Sequence, residues 1–333
     1  MPSDPTTPNV FVIAGHGNRL MWIATSHRVG EDMATRITFD VFSGRPNPSV
    51  VVDGQEEREL LERIAPARGK GAGRVRALPE STLGYRGLLI EQQAAPKRLR
   101  GRRVTPLLRR PARVVAGLLR SGGSEYPVRD PLVEDFVCGS TGPIRLTGLG
   151  KGFSDRVLEE LHRYRDTITR IKWPIKVKWP IRYTCRCAPL WEPAWWNDAG
   201  QVQFNNNCYN YGTNYRSDTY AQPGLANGAM YASITCADVL AGAVADALID
   251  WPTARNRCPK EGHLVALVVG PNWDFHWYRK GRNGLWTHKP GGTQATNQDN
   301  SGNLITDPRT ADRGNYTDFC TFMIVMHGHV KIQ

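Results

Sequence analysis

The chain has 333 residues, of which 40% are hydrophobic and 22% are charged, a composition typical of an ordinary soluble globular protein. This balance excludes fibrous and wholly disordered chains, and no apolar run approaches the roughly 20 residues that a membrane helix needs. The formal net charge of +12 is high enough to raise the question of polyanion binding.

The first residues predict no secretory signal, because Asp4 stands where basic residues are expected and Gly15 interrupts the apolar run that follows. We therefore expect a cytoplasmic location, with export by another route left open. The seven cysteines are then expected to be reduced. Cys185 and Cys187 are too close together for a CxxC metal or redox pair, so we predict no metal site and no cofactor.

The N-terminal part of the chain, residues 1–95, predicts a small α+β domain. Residues 9–14 and 36–42 have the apolar content and alternation of strands. Residues 56–64 place leucines and an isoleucine at helical spacing among charges, which predicts an amphipathic helix. Residues 83–90 are interpreted as one more strand.

Residues 96–150 predict a linker rich in Arg, Gly and Pro. Much of the excess positive charge lies here, in a run between Lys97 and Arg113. Such runs are most often solvated, yet they are also the kind of segment that binds a polyanion through salt-sensitive contacts. Both interpretations stay open from the sequence.

The C-terminal part, residues 151–333, predicts helices first and an antiparallel sheet afterwards. A long amphipathic helix is expected over 154–171 with Ser154 as its N-cap, and an Ala-rich helix over 228–250. A tight Asn-Gly turn at 283–284 indicates a hairpin. The predicted strands are 175–179, 264–269, 273–279, 285–289 and 319–326.

One cysteine of this part stands in a setting suited to nucleophilic catalysis. A thiol attacks an acyl carbon only as thiolate, a form favoured by a nearby imidazole and by a helix N-terminus. Asn207 is placed to cap a short helix that opens at Cys208, and strand alternation turns His276 away from Phe275 and Trp277. We predict Cys208 as the nucleophile and His276 as its base.

A third group must hold the imidazole in the useful tautomer. We prefer Asp299 to Asn300 because a carboxylate also stabilises imidazolium. The oxyanion donors available are the Cys208 backbone amide and the side chain of Asn206 or Gln203, with Asn206 preferred. His288 is interpreted as structural or substrate-facing. The predicted substrate-binding residues are Trp196, Tyr209, Gln222, Trp277 and His288.

Several motifs carry a resemblance to known proteins. The order of a thiol at a helix start, a histidine on a strand and a polar group beyond the next strand resembles the papain-like thiol hydrolase superfamily, which includes cysteine peptidases and cell-wall amidases. More narrowly, the chain resembles a group of bacterial and phage proteins over about residues 195–333. The motifs are NCYNY at 207–211, QPG at 222–224, DFHWYR at 274–279 and WTHKPG at 286–291.

The resemblance implies a papain-like helix plus antiparallel sheet in the C-terminal domain, and hydrolysis of an amide bond in a peptide or peptidoglycan-like substrate. The FDVFSGRPNP stretch at 39–48 is similar to a segment of other bacterial proteins and implies no chemistry. Two alternatives stay open: a catalytically inactive papain-like protein with a binding or structural role, and polyanion binding by the Arg-rich segment. In the former, Cys208 is a small buried hydrophobe in an aromatic cluster.

Overall fold

The protein has the predicted α+β class, with helices and antiparallel sheets. Its computed structural model divides into two compact units. Unit 1 comprises the described residues within Met1–Asp40, Asn47–Ala77 and Gly87–Arg165, and unit 2 those within Val41–Pro46, Leu78–Arg86 and Asp166–Gln333. The structure describes residues 10–16, 19–25, 33–67, 81–94, 108, 111–121, 123–170 and 185–333.

Unit 1 contains a six-stranded antiparallel sheet in the order β4-β3-β5-β6-β7-β8, and β1 pairs with β2 in a separate hairpin. Its strands are β1 (Val10–His16), β2 (Arg19–Thr25), β3 (Met33–Phe39), β4 (Ser49–Asp53), β5 (Leu88–Ala94), β6 (Ala112–Val115), β7 (Leu118–Ser121) and β8 (Ser124–Pro127). Its helices are α1 (Gly54–Ile64), α2 (Val133–Cys138), the 3-10 turn Pro143–Thr147 and α3 (Gly150–Arg170), which belongs to unit 1 up to Arg165.

Unit 2 is built on a five-stranded antiparallel sheet in the order β12-β11-β10-β13-β9. Its strands are β9 (Ile249–Asp250), β10 (His263–Gly270), β11 (Asp274–Lys280), β12 (Trp286–His288) and β13 (Asp318–Val325). Its helices are α4 (Gln201–Asn205), α5 (Cys208–Thr213) and α6 (Cys236–Ala245), with short 3-10 turns at Pro193–Trp195 and Leu225–Asn227.

Strand alternation divides the core of unit 2 between the two faces of this sheet. Phe275 and Trp277 pack with Cys208 on the face that α5 and α6 cover. Tyr278 packs with Trp286 on the other face. Because β12 pairs only with Tyr278–Lys280, the first part of β11 has an edge that other segments can line.

The predicted elements differ from the structure mainly at their ends. Helix α3 begins at Gly150, and Ser154 lies inside it and donates to the Cys138 carbonyl at 2.7 Å, so the N-cap prediction was wrong. The predicted helix over 228–250 is shorter, because Thr235 caps α6 through the Asp238 amide at 3.2 Å. The strand predicted at 175–179 lies outside the described residues.

The segment predicted as a linker over 96–150 contains regular structure in its later part. Strands β6 to β8 form a meander, in which Arg120 lies opposite Glu125 and pairs with it at 2.9 Å. The basic composition hid the short alternation of Ala112, Val114 and Val115, which are buried. Arginines in a strand can keep a charge partner across the ladder, so a basic segment need not be a linker.

Two disulfides overturn the expectation that the cysteines are reduced. Cys185 is bonded to Cys258, and Cys236 is bonded to Cys320. These pairs are 73 and 84 residues apart in sequence, so spacing alone gave no sign of them. Within the described part of the chain, no helix has both the length and the apolar character needed to cross a membrane.

Candidate functional site

Helix α5 begins at Cys208 because Asn207 caps it. The Asn207 side-chain oxygen accepts from the backbone amides of Tyr209 at 3.0 Å and Asn210 at 3.1 Å. The Asn210 side chain accepts in return from the Asn207 amide at 3.2 Å, which completes a capping box. The predicted cap is confirmed, and it fixes the cysteine at the first position of the helix.

The Cys208 thiol lies against the backbone of β11, beside the residues that flank His276. Its sulfur is 3.9 Å from the Phe275 carbonyl oxygen and also contacts the Trp277 amide. The His276 ring lies on the opposite face of β11 from Phe275 and Trp277, and it packs edge to face with Tyr278 at 4.8 Å. The alternation of His276 away from Phe275 and Trp277 is therefore as predicted. Cys208, however, packs with Phe275 and Trp277, so a direct meeting of His276 with Cys208 stays a prediction.

The two imidazoles of this site form a directed chain of hydrogen bonds. His288 Nε2 is 2.9 Å from the Gln298 carbonyl oxygen, which only accepts, so Nε2 carries the hydrogen. In the neutral ring Nδ1 of His288 is then an acceptor, and His276 Nε2 donates to it at 2.8 Å. Neutral His276 keeps an unprotonated Nδ1, the nitrogen that a general base needs.

Ser43 meets the free nitrogen of His276. The Ser43 hydroxyl forms a short hydrogen bond with His276 Nδ1, and the tautomer makes the hydroxyl the donor. The Ser43 side chain also lies close enough to the Cys208 thiol to offset part of the rise in the pKa of that thiol. Ser43 thus lies near both groups, and all three side chains are fully buried.

Burial sets the protonation states of the site. It raises the pKa of Cys208, with a further contribution from the Asp274 carboxylate. Burial lowers the pKa of His276 well below its usual range, and the neighbouring His288 adds to this. Burial also lowers the pKa of His288, to about 4. The resting pair at neutral pH is therefore a thiol and a neutral imidazole.

Asp274, at the start of β11, holds the backbone that carries Ser43. Its carboxylate accepts from the amides of Ser43 at 2.5 Å, Gly44 at 3.1 Å and Arg45 at 3.0 Å. Tyr316 donates its hydroxyl to the same carboxylate at 2.5 Å. Burial raises the pKa of Asp274, and these donors lower it in part. The sequence analysis assigned Asp274 and Ser43 no role, although both lie in the quoted motifs.

Two side-chain amides converge on one carbonyl oxygen beside Cys208. Asn207 Nδ2 donates to the Gly44 oxygen at 2.8 Å, and Gln222 Nε2 donates to the same oxygen at 2.9 Å. This is the donor arrangement of an oxyanion hole, filled here by a peptide carbonyl. Gln222 was predicted to bind substrate, whereas Asn207 was expected only to cap the helix.

The predicted orienting groups lie elsewhere. Asp299 accepts from the amides of Ser301, Asn303 and Asp312 and so closes its own loop. Asn300 exchanges hydrogen bonds with the backbone of Leu83 at 2.8 and 3.0 Å. His288 takes the place assigned to Asp299. The reason is register: β12 pairs His288 with Tyr278, two residues from His276 on the same face.

The predicted oxyanion donors are also engaged elsewhere. Asn206 Nδ2 donates to the Val202 carbonyl at 2.8 Å and to Asp218 at 2.6 Å. Gln203 Nε2 donates to the Gly292 carbonyl at 3.4 Å. Both amides therefore organise the approach to α5. A one-residue shift, from Asn206 to Asn207, separates the predicted donor from the one that the structure brings to the site.

The other predicted substrate-binding residues belong to the core. Tyr209 donates its hydroxyl to Asp246 at 2.9 Å and packs against Trp277 at 5.2 Å between ring centroids. Trp196 packs edge to face with Tyr211 at 5.1 Å. Trp196, Tyr209 and Trp277 are all buried, so they support the site rather than line an open groove.

The metal and polyanion predictions concern different parts of the chain. Among the described residues, no group of three or more His, Cys, Asp or Glu side chains is placed to hold a metal ion. Most of the basic run between Lys97 and Arg113 lies outside the described residues. Arg113 itself pairs with Asp40 at 2.7 Å.

Comparisons with known proteins give one relative. No model of a known protein family matches the chain, and no solved structure matches it. Over 135 residues the chain is 45% identical to Insoluble matrix shell protein 1 of Ruditapes philippinarum. The aligned region covers 40% of this chain and 87% of the relative.

Proposed function

The chain belongs to the family of Insoluble matrix shell protein 1, and we propose that it is a latent cysteine-dependent hydrolase of amide bonds. Cys208 is the proposed nucleophile and His276 the base. His288 orients His276, and the amides of Asn207 and Gln222 receive the oxyanion. The proposed substrate is a peptide or peptidoglycan-like polymer.

One observation carries this proposal: His276, held in one tautomer, hydrogen bonds to Ser43, and Ser43 also lies near the Cys208 thiol at the start of α5. The Gln298 carbonyl, His288 and His276 form a chain that leaves only His276 Nδ1 free to take a proton. A nucleophile, a base and a group that orients the base are the components of a covalent hydrolase.

The proposed chemistry follows from these positions. The Cys208 sulfur forms a bond to the carbonyl carbon while its proton passes to His276 Nδ1, and the amides of Asn207 and Gln222 stabilise the oxyanion. The amide bond then breaks, and the leaving amine takes the proton from His276. Water attacks the resulting thioester, gives a proton to His276, and releases the acid and the free thiol.

The term latent refers to the buried, neutral thiol. Thiolate is the reactive form, and here burial raises the pKa of Cys208. The Ser43 hydroxyl also occupies the basic nitrogen of His276. Displacement of Ser43 would admit water, reduce the desolvation of the thiolate and bring the imidazole into direct reach of the sulfur.

Hydrolysis by the full-length protein tests the proposal. Wild type and a Gly44→Ala variant, in which the Ser43 segment is displaced, are incubated with peptide amides and with purified peptidoglycan, and released amine is measured. We expect hydrolysis by the Gly44→Ala protein, its loss on adding Cys208→Ala, and its retention on adding Cys187→Ala. Equal hydrolysis with and without Cys208 contradicts the proposal, as does a lack of hydrolysis by every folded variant.

Ser43 provides a further control because it also hydrogen bonds to His276. A serine nucleophile would lose its activity in a Ser43→Ala variant, whereas a thiol nucleophile would keep or gain activity. Comparing Ser43→Ala with Cys208→Ala, each in the Gly44→Ala protein, therefore distinguishes a serine nucleophile from a thiol nucleophile. We expect only Cys208→Ala to abolish hydrolysis.

A structural role in an extracellular matrix is the second candidate. Two observations favour it: the relative is named as an insoluble shell-matrix protein, and two disulfides point to an oxidising compartment rather than the cytoplasm. In that case Cys208→Ala would leave every function intact, while loss of the disulfides would impair it. Polyanion binding by the basic run stays a proposal, tested by the salt dependence of binding.

A further inference from the structure

Residues 41–46 belong to unit 2, although the residues on either side of them in sequence belong to unit 1. Four residues of this stretch, Val41 to Gly44, are buried. We call Ser43–Arg45 the SGR segment. Its Ser43 side chain hydrogen bonds to His276 and lies near the Cys208 thiol.

Every backbone group of the SGR segment that faces the site has a specific partner. The three amides of the segment donate to the Asp274 carboxylate. The Ser43 carbonyl accepts from the Gly291 amide at 3.1 Å. The Gly44 carbonyl lies in the cradle formed by Asn207 and Gln222. Three successive amides directed at one carboxylate fit the bend that the chain makes at residues 43–45, and such contacts recognise a bent peptide through its main chain.

Glycine is the only residue that fits at position 44. A Cβ atom built there overlaps the Phe275 ring, with Cζ 2.6 Å away and Cε2 and Cδ2 closer still. Phe275 is fully buried in the core of unit 2, so its ring has little room to move. The site therefore selects for glycine at the residue whose carbonyl enters the amide cradle.

The neighbouring side chains add polar selection. The Ser43 hydroxyl hydrogen bonds to His276 Nδ1, and the side chain is fully buried, so this position favours a small polar residue. The Arg45 guanidinium donates from Nη1 to the Trp273 carbonyl at 2.7 Å and lies 4.8 Å from the centre of the Phe42 ring. A small residue, a glycine and an arginine are thus recognised in order.

We infer that the Cys208 site binds peptides that present a small residue, glycine and arginine in succession in a bend, and that the SGR segment is the chain's own occupant of that site. The inference rests on the proposed function for the identity of the site. The binding itself does not require a reactive thiol. The segment holds the site closed, and a matching peptide supplied by another chain is the ligand that replaces it.

Binding of a labelled peptide to the full-length protein tests the inference. The probe is a fluorescent Val-Phe-Ser-Gly-Arg-Pro peptide, and the matched probe carries Ala in place of Gly. Both are titrated by anisotropy against Cys208→Ala and Cys208→Ala/Gly44→Ala proteins, so hydrolysis is excluded from the readout. We expect binding only to the protein with Gly44→Ala, and about 10-fold weaker binding of the Ala peptide because of overlap with Phe275.

Alkylation of Cys208 gives a second measurement. With iodoacetamide at neutral pH, we expect Gly44→Ala to raise the rate at Cys208 about 10-fold or more by opening the site, and the Gly peptide to reverse this. Gly152→Ala is the control, because a Cβ there meets open space within α3. Circular dichroism and thermal melts show which variants are folded.

Arg45→Ala is a second variant for opening the site, and it is used if the Gly44→Ala protein does not fold. Arg45 is partly exposed, so its truncation should weaken the SGR segment without disturbing the core. Absence of peptide binding to folded, opened variants overturns the inference, as does equal binding of the Gly and Ala peptides. Peptide binding without hydrolysis would remove only the proposed function, and hydrolysis without binding would remove only this inference.

Discussion

His276 donates its Nε2 hydrogen to Nδ1 of His288 across 2.8 Å, and the Gln298 carbonyl fixes that direction from the far side of His288. The direction of both hydrogen bonds follows from the Gln298 carbonyl, because a carbonyl oxygen can only accept. It leaves His276 Nδ1 as the basic nitrogen, and Ser43 now covers that nitrogen. If His276 acts as the proposed base, the SGR segment must move before that nitrogen can take a proton.

His288 positions His276, and we expect its removal to slow the chemistry of Cys208. In the Gly44→Ala background, His288→Leu should reduce the alkylation rate of Cys208 at neutral pH by about 10-fold or more, because His276 loses its fixed tautomer. His288→Gln should retain most of the rate, since glutamine can accept from His276 and donate to Gln298. Asp299→Asn is the matched control and should have no effect. An equal loss in the leucine and glutamine variants would contradict this role.

The Cys236–Cys320 disulfide joins the first residue of α6 to β13 and closes a loop of 84 residues. Replacing both cysteines with serine should lower the free energy of unfolding by about 2–5 kcal/mol, mainly because the unfolded chain gains conformational entropy without the cross-link. Urea denaturation with and without a reductant measures this. Cys187→Ser is the control, because Cys187 is a free exposed cysteine, and we expect a change of about 0.5 kcal/mol or less.

Gly224 and Gly228 flank the 3-10 turn Leu225–Asn227, and both have positive φ angles, 82° and 68°. A Cβ at Gly224 would lie 2.9 Å from the Gly242 Cα and closer to the backbone of Ala229, whereas a Cβ at Gly228 meets nothing within 4 Å. Gly228→Ala should cost about 1 kcal/mol of backbone strain, and Gly224→Ala about 1–3 kcal/mol more. Thermal or chemical denaturation of the two variants gives the comparison, and similar losses would refute the packing argument.

His263 is fully buried, and burial lowers its pKa from 6.5 to about 3, so the folded protein keeps this imidazole neutral at neutral pH. The unfolded chain takes up a proton on His263 below about pH 6.5 while the folded protein does not, so stability falls as the pH falls. His263→Gln can keep the bond to the Gly212 carbonyl, which is 2.8 Å from Nε2 of His263. Between about pH 6 and 4, the unfolding free energy of the wild type should fall more steeply than that of the variant. The difference between the two slopes should be about 1.4 kcal/mol per pH unit. Parallel pH profiles would contradict this.

The sequence was informative where short-range patterns dictate structure. The apolar run at 264–269 and the Asn-Gly turn predicted β10 and the β11–β12 hairpin, because strand alternation and turn geometry are local. Asn207 and Cys208 were placed correctly at a helix start for the same reason. The papain-like assignment stays a prediction, since the α+β class is common to many folds.

Only the tertiary structure decided which polar groups meet. Asp299 lost its assigned role to His288 because strand register, set by the pairing of β11 with β12, brings His288 to His276. Ser43 reaches the site from more than 160 residues upstream of Cys208, and no local pattern encodes such an approach. Likewise, the partners of Cys236 and Cys185 depend on contacts across 84 and 73 residues. Local patterns predicted most elements of unit 2 and the position of Cys208 at a helix start, whereas the long-range packing of buried side chains made this position inaccessible.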